Sequence, residues 1–159
     1  MLDSLESDPV ESDSSESKGA DMEGARTTPL LEATASTLRL HAWPRWVFRI
    51  TSTVSAILLF DQAVFAGQFL AGTYDALHTH RENATYAGLS VLVSTIAAVL
   101  VRWPGRGPWW PILGCLGIFG LVALQIVLGF ARNITLHIPL GVATILLAAA
   151  LAVWAWRRR

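Results

Sequence analysis

The chain has 159 residues, of which 53% are apolar and 15% charged, and its formal net charge is zero. With a mean hydropathy of +0.46, it is too apolar for an ordinary soluble domain and lacks the basic excess of a nucleic-acid binder. A single cysteine, Cys115, excludes an intrachain disulfide framework and a thiolate metal cluster.

The zero net charge is the sum of two unlike segments. Residues 1–42 hold nine acidic residues against Lys18, Arg26 and Arg39. They are rich in Ser, poor in aromatics and without an apolar period, so they are expected to form a disordered acidic tail on the cytoplasmic side. The tail has no basic start followed by an apolar core, so it does not read as a signal peptide. Met22 offers an alternative start that would remove seven of the nine acids. Residues 43–159 reverse the balance, with nine arginines against Asp61, Asp75 and Glu82.

Crossing a bilayer core takes about 20 apolar residues in a helix, and four segments reach that length. The predicted spans are 47–74, 84–101 (with a start several residues earlier left open), 109–131 and 134–156. The short connections between them make neighbours antiparallel, which gives an all-α fold, an up-down-up-down four-helix transmembrane bundle. All seven tryptophans (Trp43, Trp46, Trp103, Trp109, Trp110, Trp154 and Trp156) fall at span ends, as half of an aromatic belt. Arg39, Arg45, Arg49, Arg102, Arg106 and Arg157–Arg159 share one side, whereas Arg81 and Arg132 lie on the other. The positive-inside rule then predicts a multi-pass plasma-membrane protein with both termini cytoplasmic. Small residues at Gly67/Ala71, Ser90/Ser94/Ala98 and Gly114/Gly117/Gly120 read as helix-packing seams. The expected partners are the lipid bilayer and, through the glycine face of span three, a second copy or a larger membrane complex.

Polar side chains inside such spans are few and informative. Gln62, Gln68 and Gln125 are the chain's three glutamines, and all three lie in spans. Asp61 and Gln68 are seven residues apart, on one helical face that also holds Phe65 and Gly72, and that face is expected to point into the bundle. Gln68, Gly72 and His80 are spaced as Gln-x3-Gly-x7-His, and so are Gln125, Gly129 and His137. This weak internal repeat predicts two histidines at equal depth on spans two and four, near the outer face. Two imidazoles on facing helices are what a six-coordinate haem b needs. In that reading Gly72 and Gly129 leave room for the macrocycle, Gln68 and Gln125 orient the site, and Arg81 and Arg132 pair with propionates. The plain alternative makes the histidines interfacial residues and the glutamines interhelical ties.

At these residues the chain resembles one four-helix repeat of haem A synthase, and also small bacterial four-span membrane proteins. The matching pieces are His80-Arg81 with Ala84, Leu124-Gln125 with Leu128-Gly129, and Leu136-His137, within about residues 50–156. The resemblance implies that His80 and His137 correspond to the paired haem-ligand histidines. It departs from the synthase in two respects: the match spans a single repeat, and Ala76 and Leu77 stand where the synthase carries an acidic catalytic residue.

Three functions follow as expectations: a membrane protein holding one haem for haem handling or redox work, a cofactor-free structural or accessory subunit, and a proton-coupled transporter component with Asp61 as its proton site. Nothing points to nucleophilic hydrolysis, because no serine elbow exists and Cys115 has no titratable neighbour in its span. A zinc site drawn from His78, His80, Glu82 and His137 has no specific spacing. The sequons at Asn83 and Asn133 lie too near the bilayer to be convincing glycan acceptors.

Overall fold

The computed structural model describes residues 43–158. The acidic segment 1–42, expected to be disordered, lies outside the described residues. Four helices make up nearly all of the rest: α1 Trp43–Leu70, α2 Ala76–Arg102, α3 Trp110–Phe130 and α4 Ile134–Arg157. At 1.5 Å per residue they are about 32–42 Å long, enough to cross a hydrocarbon core of about 30 Å. Consecutive helices run antiparallel. The α1–α2 and α3–α4 turns form one end, the hairpin end. The other end holds the start of α1, the α2–α3 connection and the end of α4, together with Arg45, Arg49, Arg102, Arg106, Arg157 and Arg158.

α1 and α3 stop in the same way. Gly72 and Arg132 adopt left-handed backbone, with φ of 99° and 55°. The Thr73 amide donates to the Gln68 carbonyl at 2.9 Å and the Gly72 amide to that of Phe69 at 3.0 Å. In α3 the Asn133 amide donates to Leu128 at 3.0 Å and the Arg132 amide to Gly129 at 3.1 Å. This pair of bonds satisfies the last carbonyls and reverses the chain. Asn133 then caps α4, its side-chain oxygen accepting from the Leu136 amide at 3.3 Å.

Spans three and four match expectation to within one residue at each end, but the first hairpin does not. α1 runs over 43–70 rather than 47–74, because Gly72 ends it. α2 begins at Ala76, eight residues before 84, in line with the earlier start left open. The polar run from His78 to Asn83 looks like a loop in sequence. In the helix, His78, Thr79, Arg81 and Glu82 are exposed, while His80 and Asn83 turn towards neighbouring helices.

Each helix buries one stripe at three- and four-residue spacing: Phe48, Ser52, Ser55 and Leu59 on α1; Ala87, Val91, Ser94 and Ala98 on α2; Pro111, Cys115, Ile118 and Val122 on α3; Thr144, Ala148, Leu151 and Ala155 on α4. At their centre Ser52, Ser55, Val91, Cys115, Ile118, Ala148 and Leu151 enclose a cavity of only about 10 Å³. The small residues let the backbones approach. Ser94 and Ala98 belong to this seam. Gly67, Gly117 and Gly120 do not, since a Cβ at any of the three would meet nothing within 4 Å.

Two polar ties close the ring through α1. The hydroxyls of Ser55 and Ser94 bond at 2.9 Å, linking α1 to α2. Arg49 donates from Nε to the Ala155 carbonyl at 3.0 Å and from its terminal nitrogen to the Arg158 carbonyl, linking α1 to the end of α4. Its guanidinium lies over the rings of Trp46 and Trp156, 5.0 and 5.5 Å from their centres. The Trp156 indole donates to the Thr53 hydroxyl at 3.0 Å.

The outer faces carry Ile50, Ile57, Phe60, Leu89, Ile96, Leu113, Val127 and Leu146, all exposed. Helices that are apolar on their outer surfaces and internally hydrogen-bonded along their length suit lipid, not water. The chain is a multi-pass membrane protein.

Candidate functional site

Towards the hairpin end the buried stripes change character. The positions that continue them, Gln62, Ala66 and Phe69 on α1, Gln125 and Leu128 on α3, and His137 and Leu140 on α4, are only half-buried, as is His80 on α2. The dry core therefore ends one turn past Leu59 and Val122, and polar residues take over its inward face.

There each hairpin makes the same pair of bonds. The Gln62 side-chain amide donates to the His80 carbonyl at 3.1 Å, and His80 Nδ1 lies 3.0 Å from the Gln62 carbonyl oxygen. The Gln125 amide donates to the His137 carbonyl at 3.0 Å, and His137 Nδ1 lies 3.1 Å from the Gln125 carbonyl oxygen. A carbonyl oxygen only accepts, so each Nδ1 carries the hydrogen and donates. In the neutral ring this leaves the Nε2 lone pair unprotonated, the form in which imidazole binds a metal. The rings of His80 and His137 come together with centres 6.2 Å apart and planes at 63°. Two imidazoles on opposite sides of one first-row metal ion, each with a nitrogen about 2 Å from it, have ring centres about 6 Å apart.

The repeat is thus present, but in another register from the one its spacing predicts. The partner of His80 is Gln62. Gln68, expected in that role and expected to point into the bundle, is exposed and lies about 9 Å further along α1. Gly72 occupies the helix stop that Arg132 occupies in the second hairpin, and a Cβ there would have nothing within 4 Å, whereas a Cβ at Gly129 would lie 3.5 Å from His137 Cε1. Ten residues separate Gln62 from Gly72, against seven from Gln125 to Arg132. Eight separate Gly72 from His80, against five from Arg132 to His137. The first hairpin is therefore taller by nearly one turn on each helix, and the equal spacing through Gln68 is coincidental. Gln62 had a readable signal, because it continues the stripe Phe48, Ser52, Ser55, Leu59.

The other candidates are placed as follows. Arg81 and Arg132 are exposed at the hairpin end, and Asp61 is half-buried beside Gln62. Aligned on the glutamines, its counterpart in α3 is Leu124. His78 pairs with Glu82 at 3.5 Å on an exposed face, and among the described residues no three His, Cys, Asp or Glu side chains converge. Asn83 is buried, and its amide donates to the Leu58 carbonyl at 2.9 Å, so it is a third tie within the first hairpin. Gly141 faces Gln125, whose amide nitrogen lies 3.4 Å from where a Cβ would be, an ordinary contact distance.

The chain matches no family model, no curated protein and no solved structure. The functional reading therefore rests on these residues and their geometry.

Proposed function

We propose that the protein holds one b-type haem between His80 and His137 at the hairpin end of the bundle, for haem handling or redox work. The observation that carries this reading is the matched pair of Gln–His clasps. They bring two histidines from α2 and α4 to a ring separation of 6.2 Å, each with Nδ1 engaged and Nε2 available. Two protein nitrogens are too few for a structural zinc ion but complete an iron whose other four ligands come from a porphyrin. When bound, the haem supplies one-electron chemistry at its iron.

The chain's own residues do the rest. The Gln62 and Gln125 carbonyls fix each ring's tautomer and orientation. Their side-chain amides hold the backbone that carries each histidine. Phe69, Leu77, Leu128 and Leu140 are half-buried apolar residues at the same end of the bundle. Arg81 and Arg132 stand where carboxylates at the rim would find charge-assisted hydrogen bonds. The arginine bias of the opposite end supports a plasma-membrane orientation with both termini cytoplasmic and this site near the outer face.

The test is the visible spectrum of the full chain, purified in detergent after expression with ample haem. The expected result is a low-spin spectrum with a sharp Soret band, lost in both His80→Ala and His137→Ala and kept in Asp61→Asn. A colourless protein that also fails to take up added haemin would contradict the proposal and leave the clasps as packing ties of an accessory subunit.

A further inference from the structure

The opposite end of the bundle holds a cavity of about 260 Å³ that the haem reading does not use. Its walls come from all four helices: Phe48, Val101, Trp110 and Trp154 are apolar or aromatic, and Arg45 and Arg158, the latter just past the end of α4, supply charge. The Arg158 guanidinium lies over the Trp154 ring, 5.6 Å from its centre. Trp110 and Trp154 pack edge to face with centres 4.3 Å apart. Arg49, close by, is committed to the carbonyls at the end of α4, so it offsets the negative end of that helix. Among the described residues the only carboxylates are Asp61, Asp75 and Glu82, all towards the hairpin end.

We propose that this cavity binds the phosphate of an anionic phospholipid, with Arg45 and Arg158 holding the headgroup and the aromatic wall receiving the glycerol and first acyl carbons. Three features favour a lipid over a free anion. The tryptophans place the cavity at interfacial depth. Two guanidiniums on an otherwise apolar wall match an amphiphile. The volume accommodates a headgroup rather than a whole lipid. Basic pockets between membrane helices on the arginine-rich side recognise anionic headgroups in this way.

The test uses the full chain in nanodiscs of equal phosphatidylglycerol and phosphatidylcholine, with retained lipids read by native mass spectrometry. Two surface arginines at about 1 kcal/mol each give a preference for phosphatidylglycerol of roughly thirtyfold. The double variant Arg45→Gln with Arg158→Gln is expected to bring the ratio near one. The double variant Arg102→Gln with Arg106→Gln removes the same charge from the same end, outside the cavity, and is expected to keep the preference. Equal retention of the two lipids by the unaltered protein would overturn the proposal, as it would if the chain's own acidic segment filled the cavity. Equal loss in both double variants would also overturn it, because it would show diffuse charge rather than a site. Where a double variant fails to fold, the single variants Arg45→Gln and Arg158→Gln, each expected to lower the preference about fivefold, separate a site from diffuse charge.

Discussion

The two hairpins share one device and differ in almost everything around it. Each clasps a histidine of its second helix to a glutamine of its first through two reciprocal bonds. The first hairpin is nearly a turn taller and has two further ties, Asn83 to the Leu58 carbonyl and Ser55 to Ser94. The second has no counterpart to either among the described residues, and it packs closely instead, with Gly129 against His137 and Gly141 against Gln125. Loop height and helix-to-helix adhesives vary between the halves, while the placement of two Nδ1-anchored imidazoles does not. Packing alone would not require that agreement. A shared ligand at the junction of the hairpins would.

Substitutions that separate the shared device from the unshared packing sharpen this contrast. The largest effect is expected for His80→Ala and His137→Ala. Each removes one of the two nitrogens that would hold a haem iron, so each should abolish low-spin haem binding to the same degree, read by titration with haemin. Unequal effects, with one variant binding as the unaltered protein does, would break the symmetry. Next come Gln62→Leu and Gln125→Leu, which remove one bond of each clasp but leave the carbonyl that anchors Nδ1. Haem affinity should fall roughly tenfold in both, at the low end for groups that orient a ligand. Gln68→Leu should change nothing, and a loss there equal to that of Gln62→Leu would restore the register suggested by spacing.

Smaller effects belong to single hairpins. Asn83→Leu removes a buried bond from the first hairpin only and should cost about 1–1.5 kcal/mol of stability in reversible unfolding from mixed micelles, with haem affinity unchanged. The smallest effect is expected at the helix stops. Gly72→Ala places a Cβ at a φ of 99° and should destabilise by about 1 kcal/mol. Arg132→Gly relieves a side chain at φ 55° and should stabilise by a few tenths of a kcal/mol. Both are read as shifts in the same unfolding midpoint.

The fold was legible because membrane helices must satisfy their own backbones and show lipid an apolar surface, so span length and short connections carry the four-helix architecture. The start of α2 was less legible. Its first two turns bear His78, Thr79, Arg81 and Glu82, which look like a connection until their backbone is seen to be helical. That His80 and His137 lie close together was legible from the repeat, whereas Gln62 was legible only from the buried stripe. Counting from one hairpin to the other assumes equal heights, and Gln68 lies as far before His80 as Gln125 does before His137, so it stands where an equal-height hairpin would place the partner. The buried stripe was the better guide, since three- and four-residue steps from Phe48 lead to Gln62 and pass Gln68 by. The tie at Asn83 was hidden for another reason, because a sequon draws the eye to glycosylation rather than to a buried amide.

Stoichiometry tests the central claim most directly. Haemin titrated into the full-length protein, followed at the Soret maximum, should give one break at one equivalent per chain, with low-spin character at the endpoint. The break should be absent in His80→Ala and in His137→Ala. A titration without saturation, or a break that survives both substitutions, would contradict the account.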